Sequence, residues 1–154
     1  MRSWTPVIAF LVFGQLGCSN EDLDINSFKD ESSITTLNGT WKVLSFEDYS
    51  NHSREFKNEE NSRGLDIIVT FDDTKDPNEL SGINTTNTIA GKFDYTGSRD
   101  FEISTYGSTY VAQPAWADKF NQAVLDGELS FRINAAKLRV YYDNQMKSVT
   151  LTRE

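Results

Sequence analysis

The chain has 154 residues, 25% charged and 38% hydrophobic, with 23 Asp and Glu against 15 Lys and Arg and a net charge of −8. That length allows one domain with a real core and argues against two. A pI near 4.6 and the absence of any basic run argue against nucleic acid or an anionic membrane surface as partner, since both reward clustered Lys and Arg.

The first element is an apolar run, Val7 to Phe13, preceded by Arg2 and followed by "GQLGC". It is far below the ~20 residues needed to span a bilayer. With its basic start and the small Gly17 at its end, it predicts a signal peptide over residues 1–17, hence export. The chain's one cysteine, Cys18, follows at once. It has no second cysteine to pair with inside the chain, and the one histidine, His52, lies in a different polar loop. "QLGC" resembles the lipobox of bacterial lipoproteins at Gly17 and Cys18 and departs from it at Gln15 and Leu16. The resemblance implies cleavage after Gly17 and diacylation of Cys18. Two acyl chains would hold the protein on a membrane effectively permanently.

Residues 18–36 then read as the lipidated Cys and an acidic, flexible tether, with few large apolar residues and no periodicity. The early acids Glu21, Asp22 and Asp24 resemble the surface-export signal of some Gram-negative lipoproteins; a plain soluble spacer is the other reading.

From Leu37 the texture becomes that of strands. "LNGTWKVLSFED" opens with a turn at Asn38-Gly39. "LDIIVTFDD" alternates, predicting Leu65, Ile67, Val69 and Phe71 on one face. "NTIAGKFDY" aligns Ile89, Phe93 and Tyr95, with Gly91 suggesting a bend or bulge. "FEISTY" aligns Phe101, Ile103 and Thr105 and predicts a hairpin with its predecessor. Pro114 and Gly127 bracket a helix whose Trp116, Phe120, Ala123 and Val124 form one apolar stripe. Three strands close the chain: Leu129, Phe131 and Ile133; Leu138, Val140 and Tyr142; then Val149 and Leu151. The expectation is a β-rich α+β domain, an antiparallel curled sheet or small barrel of about eight strands with one helix packed on it.

This order of elements resembles the META or HslJ-like family of small exported proteins. Leu37, Asn38, Gly39, Thr40 and Trp41 match its "L-x-G-T-W" opening. Gly82, Asn87, Gly91 and Phe93 take the places of its Gly-Cys-Asn and "G-x-Y" segments, and Phe131, Ile133, Leu138, Val140 and Tyr142 match its end. The family often has cysteines where this chain has Ile83 and Val111. "NGTWKVLSF" also resembles the opening of lipocalin-like domains, whose Gly-x-Trp strand plugs one end of a barrel. Either resemblance covers residues 37–154 and implies a fold more than an activity.

The search for chemistry returns little. Asp72, Asp73, Asp76 and Glu79 form the densest acidic cluster and the weak candidates for a metal, but Pro77 stands where a Ca²⁺ loop needs Gly. No P-loop, GxSxG, HExxH, CxxC or GxGxxG occurs, so no catalytic residue and no cofactor is expected. Tyr106, Tyr110 and Tyr141 fall off the inward phases or in a loop and are the candidates for a binding surface. The expected protein is a lipid-anchored, outer-membrane lipoprotein, periplasmic or surface-facing, with a non-enzymatic domain that binds an envelope protein or small ligand. A lipocalin-like carrier of an apolar ligand comes second, and a hydrolase third.

Overall fold

The computed structural model describes residues 28–31 and 33–154; the predicted signal peptide, Gly17 and Cys18 lie outside the described residues. Among the described residues the elements run β1 (Gly39–Asp48), β2 (Ser53–Phe56), α1 (Glu59–Ser62), β3 (Ile67–Asp72), β4 (Glu79–Asn84), β5 (Asn87–Tyr95), β6 (Asp100–Ser108), α2 (Ala115–Val124), β7 (Glu128–Ile133), β8 (Lys137–Tyr142) and β9 (Lys147–Arg153). No described helix is long and apolar enough to cross a membrane.

All nine strands join one antiparallel sheet in the order β2-β1-β3-β4-β5-β6-β7-β8-β9, and a further pairing of β1 with β9 closes it on itself. The first half of β1 pairs with β3 (Trp41 opposite Val69), and its second half pairs with β2 (Glu47 opposite Arg54). Its other edge carries β9 along nearly its whole length. The ring therefore contains β1 and β3 to β9, and β2 is a short appendix on β1.

Alternation puts Ile67, Val69, Phe71, Leu80, Ile89, Phe93, Phe101, Leu129, Phe131 and Leu138 inside, all buried. The rings of Phe71, Phe93, Phe101 and Phe131 meet edge-on, with neighbouring centroids 5.4–6.3 Å apart. Helix α2 closes one end, inserting Trp116 against Phe46 at 4.7 Å, with Phe120 and Ala123 beside it. Trp41 is wholly buried, and its indole N–H donates to the Leu37 carbonyl at 2.9 Å.

Two bulges set which side chains face in. In β1 the register with β9 shifts between Val43 and Ser45, leaving Leu44 as the extra residue. Trp41 and Val43 point inward before it and Phe46 after it, so Ser45 and Glu47 turn outward. In β6 the shift falls opposite Lys92 and Phe93, making Ser104 the extra residue. Gly91, one residue away, is where the strands crowd: a Cβ there would lie 2.3 Å from the Thr105 carbonyl oxygen.

Several expectations need correction. The predicted face of Leu65, Ile67, Val69 and Phe71 holds from Ile67 on, but Leu65 lies before the strand and is exposed. The Ser104 bulge exposes Thr105 and turns Tyr106 toward the core. Strands β2 and β4 and helix α1 are additional to the predicted elements. The tether is also less free than its composition suggests. Phe28 is buried; the Glu31 N–H donates to the Ile133 carbonyl at 2.8 Å; the Asp30 carboxylate accepts from the Ile133 N–H at 2.8 Å and pairs with Arg99 at 3.2 Å. Residues 28–31 thus lie along the edge of β7 that β6 does not cover.

Candidate functional site

Register aligns two rows of side chains across the outer face of β7, β8, β9, β1 and β2. One row reads Arg132, Arg139, Thr150, Ser45, Phe56; the next reads Ser130, Tyr141, Ser148, Glu47, Arg54. An outer face of Ser, Thr, Arg and Glu would ordinarily be wet. Here Ser45, Glu47, Arg139, Tyr141, Ser148 and Thr150 are all buried.

The Glu47 carboxylate is the centre of this layer. It accepts from the Ser45 hydroxyl at 2.6 Å, the Ser148 hydroxyl at 2.8 Å and the Thr150 hydroxyl at 3.1 Å, and the Arg54 Nε lies 3.3 Å from it. Tyr49 lies 2.9 Å from the Ser148 hydroxyl and donates to it, because the serine proton is already committed to Glu47. A buried carboxylate is tolerable only when so satisfied.

Arg139 is treated differently. Its Nε donates to Thr150 Oγ1 at 3.0 Å, and the Phe28 ring covers its guanidinium with the centroid 4.9 Å away. Its Nη1 is buried without a hydrogen-bond partner, although the residue is only 6% exposed. No ion pair of Arg139 occurs among the described residues. Directly across the strands stands a second cation, Arg132, over the Tyr141 ring at 5.3 Å. A groove of about 550 Å³ opens beside Arg139, lined by apolar Phe28, Leu44 and Phe56, by the cations Lys29, Lys137 and Arg54, and by the Glu47 carboxylate that Arg54 pairs with, with Ser45, Asn134 and Thr150 between them.

The tyrosines named from sequence do not form one surface. Tyr110 is fully exposed. Tyr106 is half-buried, donates to Asn121 Oδ1 at 2.6 Å, and burial pushes its phenol up to about 12. Tyr141 is only 2% exposed, because Tyr49 stacks at 6.4 Å and Arg132 lies over it; it belongs to the buried outer layer, not to an exposed surface. Burial also raises its pKa.

The acidic loop serves local structure. Asp72 accepts from the Thr74 N–H at 3.1 Å and hydroxyl at 2.5 Å, which outweighs the modest effect of burial and lowers its pKa. Asp73 accepts from the Tyr95 hydroxyl at 3.0 Å. Asp76 and Glu79 do not join them: among the described residues no three His, Cys, Asp or Glu side chains gather where they could hold a metal. His52 sits exposed in the β1–β2 turn with a left-handed φ of 55°.

Sequence reading missed Glu47, Arg54 and Arg139. The available signal was the outward phase of "KLRVYY" and "SVTLT", where Arg139 alternates with apolar residues opposite a run of hydroxyls. Asn87 was noticed only through the family pattern. It is 3% exposed and organises the loop before α2, accepting from the Val111 N–H at 2.9 Å and donating to the Val111 carbonyl at 3.0 Å.

No model of a protein family matches the chain, and no curated protein matches it. Two solved structures share its fold. A protein from Burkholderia xenovorans, solved by NMR, aligns over 82% of this chain and 90% of its own with a TM-score of 0.63 and 16% identity. A duf4847 family protein from Bacteroides vulgatus aligns over 80% of this chain and 96% of its own with a TM-score of 0.56 and 16% identity. At that identity the likeness concerns the fold alone.

Proposed function

We propose that the protein is a lipid-anchored lipoprotein of the cell envelope whose domain, a small META/HslJ-like or lipocalin-like barrel, works by binding and not by catalysis. Cys18 carries the anchor, in an outer membrane, with the domain on its periplasmic or outer face. The observation that carries the binding role is the outer-face groove: apolar side chains and four cations against a single carboxylate, Glu47, converge there in a chain of net charge −8. Phe28, on the groove wall, follows Cys18 by ten residues, a reach of at most ~35 Å, so the groove stays near the bilayer surface.

Carriage of an apolar ligand inside the ring ranks second, because Trp41, Phe93, Phe101 and Phe131 already occupy the interior. Changing Cys18 to Ser tests the anchor. The variant is expected in the soluble fraction on cell fractionation and the parent with membranes; a variant that stays with membranes sinks the lipoprotein reading.

A further inference from the structure

We propose that the Arg139 groove is a binding site for an oxyanion head, phosphate or carboxylate, carried on an apolar chain. This rests on the reading of the domain as a binding module and names its ligand chemistry. Glu47 pairs directly with Arg54, whereas Arg139 meets only the neutral hydroxyls of Thr150 and Tyr141 and the Phe28 ring, and reaches the Glu47 carboxylate only through Thr150. A buried cation with no carboxylate bonded to it directly is unfavourable. The missing component is an anion. Guanidinium groups suit phosphate and carboxylate because their planar donors match two oxygens at once, and Nη1 of Arg139 is a donor still unused.

The surroundings define the rest of the ligand. Lys29 and Lys137 extend the positive potential along the rim, while Leu44 and Phe56 offer apolar surface; Phe56 is 59% exposed with nothing described above it. A bare inorganic anion would use the first set and waste the second. The head reaches Nη1 past Phe28, a residue of the incoming chain and not of a strand, so its ring can turn aside without unpairing the sheet.

The test uses the full chain carrying Cys18→Ser, which removes the chain's own acyl groups as competitors. Hexyl phosphate, inorganic phosphate and hexanol are titrated while the backbone N–H signals of Leu44, Arg54 and Lys137 are followed by NMR. Hexyl phosphate is expected to bind at least tenfold more tightly than either of the others. Arg139→Met should lose at least tenfold in affinity with its thermal midpoint unchanged or raised. Phe56→Ser, at an exposed position, should bring hexyl phosphate down to the affinity of inorganic phosphate. Sedimentation with phosphatidylglycerol vesicles identifies the source: Arg139-dependent sedimentation means a lipid head group, and hexyl phosphate binding without sedimentation means a soluble amphiphile. The proposal is overturned if hexyl phosphate does not saturate, if hexanol or inorganic phosphate binds equally well, or if Arg139→Met binds like the parent. The anchor is unaffected by any of these outcomes, since fractionation of Cys18→Ser reads it separately.

Discussion

Glu47 and Arg139 are two buried charges on one sheet face with opposite consequences for stability. Glu47 accepts from three hydroxyls and pairs with Arg54, so Glu47→Ala removes the acceptor of those hydroxyls and the buried counter-charge of Arg54. Urea unfolding should find that variant about 3 kcal/mol less stable. Arg139 is bonded only to neutral hydroxyls and keeps Nη1 unpartnered, and Arg139→Met should change stability by less than about 1 kcal/mol or increase it. Equal losses from both substitutions would mean that Arg139 is satisfied in a way the geometry does not reveal. Neither residue stood out in the sequence. Burial of Glu47 depends on Ser148 and Thr150, 101 and 103 positions away, and local pattern carries no record of such partners.

Among the elements, the regular ones were legible and the irregular ones were not. Strands β3, β5, β7, β8 and β9 and helix α2 announce themselves through alternation or a stripe, because one face of each meets the core. Strand β2, "SREF", has no apolar face; it exists because β1 offers it an edge and Glu47 attracts Arg54. Strand β4 hides behind Gly82, where a Cβ would lie 2.0 Å from the Ile68 carbonyl oxygen, so a residue that usually weakens strands is required here. The Leu44 bulge has a testable consequence. Val43 pairs with Leu151 and Ser45 with Thr150, so deleting Leu44 leaves a continuous ladder with every other side chain on its present face. That deletion should fold, losing about 1–2 kcal/mol from the missing contact and bend. Deleting Lys42 would instead turn Trp41 out of the core and should abolish the near-ultraviolet circular dichroism of the native state.

At the scale of the whole molecule, several buried phenols act together. Burial raises Tyr106 and Tyr142 to about 12, and Tyr95 rises further, its bond to Asp73 adding to the effect. An unfolded chain loses these protons near pH 10, whereas the folded chain keeps them to about pH 12. Above pH 10 the unfolded state therefore binds fewer protons, and stability falls as pH rises across that window. Urea midpoints from pH 9 to 12 should decline accordingly, and less steeply in Tyr142→Phe. Sequence left open whether the sheet curls or closes into a ring, because closure joins the first strand to the last. That closure also bears on folding. Pairs such as Trp41 with Arg153 span almost the whole domain, so the entropy of loop closure must be met before their contacts form, and refolding followed by stopped flow is expected to be slow for a domain of this size. Until β9 docks, Glu47 lacks the hydroxyls of Ser148 and Thr150, and Arg139 lacks its bond to Thr150. The outer polar layer thus depends on the β1–β9 pairing, and a chain interrupted before Lys147 would lose the hydroxyls of Ser148 and Thr150 from the site and Val149 and Leu151 from the core.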